Sequence, residues 1–107
     1  MTVLEEVLIE EYDRSSRILR ALKKENETLP RGSIRRRLVS GLEYYYLQYR
    51  EGKHVRSKYV KKADLESLQQ DLKRRRENEK AIKELNKSRK QIIKALGREY
   101  INEHTSA

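Results

Sequence analysis

One stretch of 28 residues, SIRRRLVSGLEYYYLQYREGKHVRSKYV over positions 33–60, limits what this chain can fold into more than any other. It is rich in β-branched and aromatic residues and is broken by two glycines, which predicts three short antiparallel strands joined by two turns. Ser40-Gly41 is a two-residue hairpin signal. It sets Val39 opposite Leu42, Arg37 opposite Tyr44, Arg35 opposite Tyr46 and Ile34 opposite Leu47. Arg50-Glu51-Gly52 predicts the second turn, with Gly52 at positive φ. Taken as a three-residue loop, a type I turn closed by a glycine bulge, it sets Tyr49 opposite Lys53, Leu47 opposite Val55 and Tyr45 opposite Ser57.

Side chains alternate across a strand, so this register sorts the stretch into two faces. One carries Ile34, Leu38, Tyr45, Leu47, Tyr49, Val55 and Tyr59. The other carries Arg35, Arg37, Tyr44, Tyr46, Gln48, Arg56 and Lys58, with His54 at its edge. The expectation is an apolar face against helices and a basic, aromatic face toward a partner. A one-residue slip in either loop would mix the two.

Charge follows the same division. The formal net charge of +9 is concentrated in residues 30–62, which hold ten basic and two acidic residues, whereas residues 1–29 hold five and seven, and residues 63–107 eleven and eight. A positive field concentrated on one element suits a polyanion, most often nucleic acid. A membrane surface suits it less, since the basic face lacks an adjoining apolar wedge. With 107 residues, 40% of them charged, and no Phe or Trp, the chain can build one thin domain with a small core. The absence of cysteine removes disulfides, thiolate metal sites and cysteine nucleophiles. No apolar run approaches the roughly 20 residues that span a bilayer, and no signal-peptide pattern opens the chain. A cytoplasmic protein that does not engage membrane is expected.

Residues 3–27 predict an amphipathic helix with Leu4, Val7, Leu8, Glu11, Ser15, Ile18, Leu19 and Leu22 on one stripe. Leu29-Pro30-Arg31-Gly32 ends it. Residues 63–96 predict a long helix in which Leu65, Leu68, Leu72, Arg75, Glu79, Ile82, Asn86, Arg89, Ile93, Leu96 and Tyr100 follow coiled-coil spacing with a polar middle. Such a helix runs about 51 Å, beyond the reach of short strands, so its far half must meet the first helix, a second copy, a partner protein or water. Gly97 is a C-cap candidate, with residues 98–107 as a tail.

Little catalytic chemistry is legible. His54 and His104 lack ligand spacing, so no metal is expected. No glycine-rich loop, serine elbow or carboxylate pair at a strand end occurs, so no cofactor and no enzymatic activity are expected. Tyr44-Tyr45-Tyr46 offers phenols, but a tyrosine nucleophile needs an arginine and histidine constellation for which the chain has no room. A second basic cluster, Lys73-Arg74-Arg75-Arg76, wraps its helix. At least one of its members must turn inward, leaving Lys73, Arg74 and Arg76 as secondary phosphate-contact candidates or as a solvated face with partners such as Glu77 and Glu79.

The motifs LPRGSI, LEYYYLQYREGK and RSKYV, followed by a long charged helix, resemble a family of small uncharacterised bacterial and archaeal proteins over residues 3–96. That resemblance implies the domain and no activity. The tyrosine-rich strand, glycine turn, RSKYV strand and following helix are also similar to the arm-binding domain of phage and conjugative-transposon tyrosine integrases. The similarity implies a three-stranded sheet laid in the DNA major groove, with Arg35, Arg37, Tyr44, Tyr46, Arg56 and Lys58 toward DNA.

The fold expected is therefore α+β: an N-terminal helix, a three-stranded antiparallel sheet and a long C-terminal helix. The function expected is non-catalytic nucleic-acid binding, of DNA before RNA, through Arg35, Arg37, Tyr44, Tyr46, Gln48, Arg56 and Lys58. The alternative is a mobile-element-encoded inhibitor of the anti-CRISPR kind, which would occupy a host nucleic-acid enzyme or its RNA. A third reading makes the long helix a homodimeric coiled-coil adaptor.

Overall fold

Thr2 starts the first helix: its hydroxyl accepts the Glu5 amide at 3.1 Å, the side-chain half of a Thr-x-x-Glu capping box. The computed structural model describes residues 2–97. In chain order these form helix α1 (Val3–Thr28), strands β1 (Ser33–Val39), β2 (Leu42–Glu51) and β3 (His54–Val60), a short 3-10 turn at Lys62–Asp64, and helix α2 (Leu65–Leu96). This is the α+β order that the sequence predicts. The Tyr100, Ile101 and His104 expectations, and the tail as a whole, lie outside the described residues.

The sheet is antiparallel with order β1-β2-β3. The first hairpin has the expected register, Val39 opposite Leu42 through Ile34 opposite Leu47. Ser40 and Gly41 both take positive φ, 52° and 81°, the signature of a type I′ turn. The second hairpin departs from expectation. Glu51 pairs with His54, Tyr49 with Arg56, Leu47 with Lys58, Tyr46 with Tyr59 and Tyr45 with Val60. The loop is therefore the two residues Gly52-Lys53, with Gly52 at φ 60° and in the first central position, as a type II′ turn requires.

The new pairing differs from the expected one by three residues, an odd shift, and so exchanges the faces of β3 relative to β2. Arg56 and Lys58 lie with Tyr45, Leu47 and Tyr49, whereas Val55 and Tyr59 join Tyr44, Tyr46 and Gln48. A type II′ turn matches the twist of the flanking strands without a bulge, and it needs only that its first residue be glycine.

Two compact units divide the chain. The first holds residues 3–25 of α1 and 78–96 of α2, which pair antiparallel. Its core joins Tyr12 and Ile92, with Leu8, Ile93 and Leu96 packed against them. Tyr12 replaces Glu11 on the inward stripe: Glu11 is exposed and pairs with Arg14, and Leu4 and Val7 are exposed as well. On α2 the inward positions are Asn78, Leu85 and Ile92 rather than Glu79 and Asn86. Two successive steps of three residues, from Leu72 to Arg75 to Asn78, displace Glu79 and Asn86, while the expected Leu72, Arg75, Ile82, Arg89, Ile93 and Leu96 stay buried or half-buried.

The polar residues of that stripe find partners on α1 of the same unit. Asn78 donates to Glu25 Oε1 at 2.8 Å. Arg89 lies with its guanidinium carbon 3.9 Å from the Tyr12 ring centre. It donates to the Tyr12 carbonyl at 3.0 Å, to Ser15 Oγ at 3.0 Å and to Ser16 Oγ. A seam that packs poorly against a second copy of itself is thus satisfied within the chain.

The second unit, Asn26–Glu77, holds the sheet, the Leu29-Pro30 corner and the first turns of α2. Val60 and Leu72 are its buried apolar residues. Leu47, Tyr49 and Lys58 line one cleft with Leu29, Pro30 and Arg75, and Ile34 lines another with Gln69 and Leu72. These residues place one sheet face toward the helical segments. Gly32, at φ 123°, brings the chain against β2 so closely that an added Cβ would stand 2.3 Å from the Gln48 carbonyl oxygen.

Candidate nucleic-acid interface

The two faces differ most in their charges. The helix-side face carries Arg36, Glu43, Glu51, Arg56 and Lys58. Its two carboxylates are matched by cations on the same face: Arg36 Nη1 meets Glu43 Oε1 at 3.0 Å, and Arg56 Nε meets Glu51 Oε2 at 3.6 Å. Tyr45 also donates its hydroxyl to Glu43 Oε2 at 3.0 Å, and that hydrogen bond raises the phenol above its ordinary 10.0.

The opposite face carries Arg35, Arg37, Val39, Leu42, Tyr44, Tyr46, Gln48, Arg50, Val55, Ser57 and Tyr59, and no carboxylate. The sheet contains only two acidic residues, and the strand register sends both to the other side. Three arginines therefore act on solvent without an anion on their own face to offset them.

Five of the seven sequence-derived site residues, Arg35, Arg37, Tyr44, Tyr46 and Gln48, share this face. Arg56 and Lys58 do not; the two-residue turn carries them to the helix side, where Arg56 pairs with Glu51 and Lys58 lines the Leu29-Pro30 cleft. Sequence reasoning missed Tyr59, Val55 and Arg50. A Gly52-X reading of the second turn would have found all three.

Within the open face, Arg35 Nε donates to Gln48 Oε1 at 3.0 Å, and the Arg37 guanidinium stands 5.8 Å over the Tyr46 ring. The Tyr59 ring lies 5.9 Å from that of Tyr46 and 6.4 Å from that of Tyr44, tilted by 57° in both pairs. Arg35, Arg36, Arg37, Tyr46, Gln48 and Ser57 border a depression of about 400 Å³. Three rungs, Arg37 with Tyr44, Leu38 with Glu43 and Val39 with Leu42, continue past the last rung of β3, so the first hairpin overhangs the sheet. Its tip exposes Leu38, Val39 and Leu42. That tip is an apolar projection beside the basic face, which the sequence reading did not foresee.

The second basic cluster divides. Arg75 turns inward and donates to the carbonyls of Asn26 at 2.6 Å and Leu29 at 2.8 Å, closing the C-terminal end of α1. Lys73 and Arg76 border the cleft with Ser33, Ile34, Gln69 and Leu72, and Arg74 is exposed.

Among the described residues no three His, Asp or Glu side chains gather to hold a metal ion, and no helix is long and apolar enough to cross a membrane.

Fold and face together define a small α+β protein that displays arginines and tyrosines on a carboxylate-free sheet surface. Residues 8–70 match the family described as a domain of unknown function, DUF6788, and the chain belongs to that family. The match takes in the whole sheet. No curated protein and no solved structure matches the chain.

Proposed function

We propose that the protein binds nucleic acid, DNA in the first instance, through the open face of its sheet. The observation that carries this reading is the segregation of charge: Glu43 and Glu51 pair with Arg36 and Arg56 on one face, which leaves Arg35, Arg37 and Arg50 on the other without a carboxylate. A phosphate polymer supplies the anions that this face lacks, and tyrosines beside the arginines supply base or phosphate contacts.

The test is an anisotropy titration with labelled oligonucleotides at several salt concentrations. Binding should weaken linearly in the logarithm of salt, and Arg35→Ala or Arg37→Ala should each flatten the slope by about 0.7 to 0.9. Lys58→Ala, on the helix side, should leave the slope unchanged. Absence of binding at low salt ends the reading.

A second reading rests on the overhanging tip. Leu38, Val39 and Leu42 stand exposed beside the arginines, a combination that fits a protein inhibitor docking on a nucleic-acid enzyme. A stoichiometric protein partner that is lost on Leu42→Asp, with no affinity for oligonucleotides, would replace the first reading with this one.

A further inference from the structure

Resting on the nucleic-acid reading, we infer that the open face takes an unpaired strand, whose bases stack on the Tyr44, Tyr46 and Tyr59 cluster while Arg35 and Arg37 hold its phosphates. Arginine and glutamine are the side chains that read base edges in a duplex groove. Here Gln48 Oε1 is engaged by Arg35 Nε at 3.0 Å, and Arg37 lies over the Tyr46 ring. The Gln48 acceptor is thus taken, while the Nε contact of Arg35 and the ring contact of Arg37 leave terminal Nη donors to meet phosphate.

What projects around them is aromatic and aliphatic. Tyr59 is 52% exposed, Val55 56% and Leu42 61%. A duplex buries its base faces and lines its grooves with edges, sugars and phosphates, so exposed rings find thymine methyls and sugars there but not the flat base faces on which they stack. An unpaired strand turns its base faces outward, and such faces stack on tyrosine whatever their sequence. The spacing also suits this use. Tyr44 and Tyr46 lie two residues apart on β2, and Tyr59 stands opposite Tyr46 on β3, which makes one continuous aromatic surface. Arg35 and Arg37 border it along β1, where a backbone running beside the stacked bases would pass. Glu43 and Glu51, which would repel that backbone, lie on the other face.

The experiment uses the full chain with a labelled oligothymidylate of about 15 nucleotides, an oligouridylate of the same length and a duplex of mixed sequence. The single strands should bind roughly tenfold or more tightly than the duplex, and Tyr59→Ala should weaken single-strand binding by roughly tenfold. Tyr59→Phe, which keeps the ring and removes the hydroxyl, should bind like the parent. Circular dichroism on each variant confirms that the sheet is retained.

Duplex binding that equals or exceeds single-strand binding, with Tyr59→Ala silent, overturns this inference and leaves the nucleic-acid reading standing. A loss in Tyr59→Phe equal to that in Tyr59→Ala replaces stacking by a hydroxyl contact and also overturns it. Failure to bind any of the three probes removes both the inference and the reading beneath it. The thymidylate and uridylate arms separate a DNA strand from an RNA strand as the occupant.

Discussion

Lys58 stands directly opposite Leu47 across the β2–β3 ladder, and this pair decides which charges share a face of the sheet. Had Val55 stood there, Arg56 and Lys58 would have joined Arg35 and Arg37, and Tyr59 would have faced the helices. The register predicts short proton–proton contacts between the Tyr46 and Tyr59 rings in a nuclear Overhauser spectrum, together with backbone contacts between Leu47 and Lys58. Contacts from Leu47 to Val55 across the ladder would contradict it.

Gly32 is the position where a single methyl should do most damage to the sheet. At φ 123° its added Cβ would stand 2.3 Å from the Gln48 carbonyl oxygen and 3.1 Å from Tyr49 Cβ, so neither the backbone angle nor the neighbour can accept it. Gly32→Ala should lower the unfolding free energy by about 3 kcal/mol. Gly41→Ala, at φ 81° but with open space around it, should cost about 1 kcal/mol. Urea denaturation of the two variants tests the difference.

Arg89 joins α2 to α1 through the Tyr12 ring, the Tyr12 carbonyl and the hydroxyls of Ser15 and Ser16. Ser15 is almost wholly buried, so water cannot readily replace the guanidinium. Arg89→Ala should cost about 2–3 kcal/mol in the same denaturation experiment. Arg89→Lys should recover only part of that: the three acceptors all meet the single nitrogen Nη1, which an ammonium can replace, but an ammonium cannot lay a planar group on the Tyr12 ring.

Tyr45 gives the sheet a pH signature. Its hydroxyl donates to Glu43, so the neutral phenol is the favoured form and its pKa lies above the ordinary 10.0. For a group raised in the folded state, the stabilisation is full below the ordinary value and is lost as pH climbs through the raised one. An ultraviolet titration should show a tyrosine ionisation above the ordinary 10.0. Tyr45→Phe should remove that late step, and Glu43→Gln should move it to lower pH.

The sequence alone determined the order of elements, the first hairpin and the concentration of positive charge between residues 30 and 62, because each depends on local chemistry. Ser40-Gly41 closes a type I′ turn by its own backbone preference, Pro30 ends α1 by lacking an amide hydrogen, and charge is a matter of composition. The tertiary structure decided the rest. Gly52 allowed two turn lengths, and an odd difference between them moves every β3 side chain to the other face, so the choice depended on the whole ladder rather than on the loop. The partners of Arg75 and Arg89 lie between 46 and 77 residues away in sequence, where neither heptad spacing nor propensity reaches. Register and long-range polar pairing are settled by which groups meet when the chain closes on itself, and in this protein the register is what leaves three arginines and three tyrosines together on an open face.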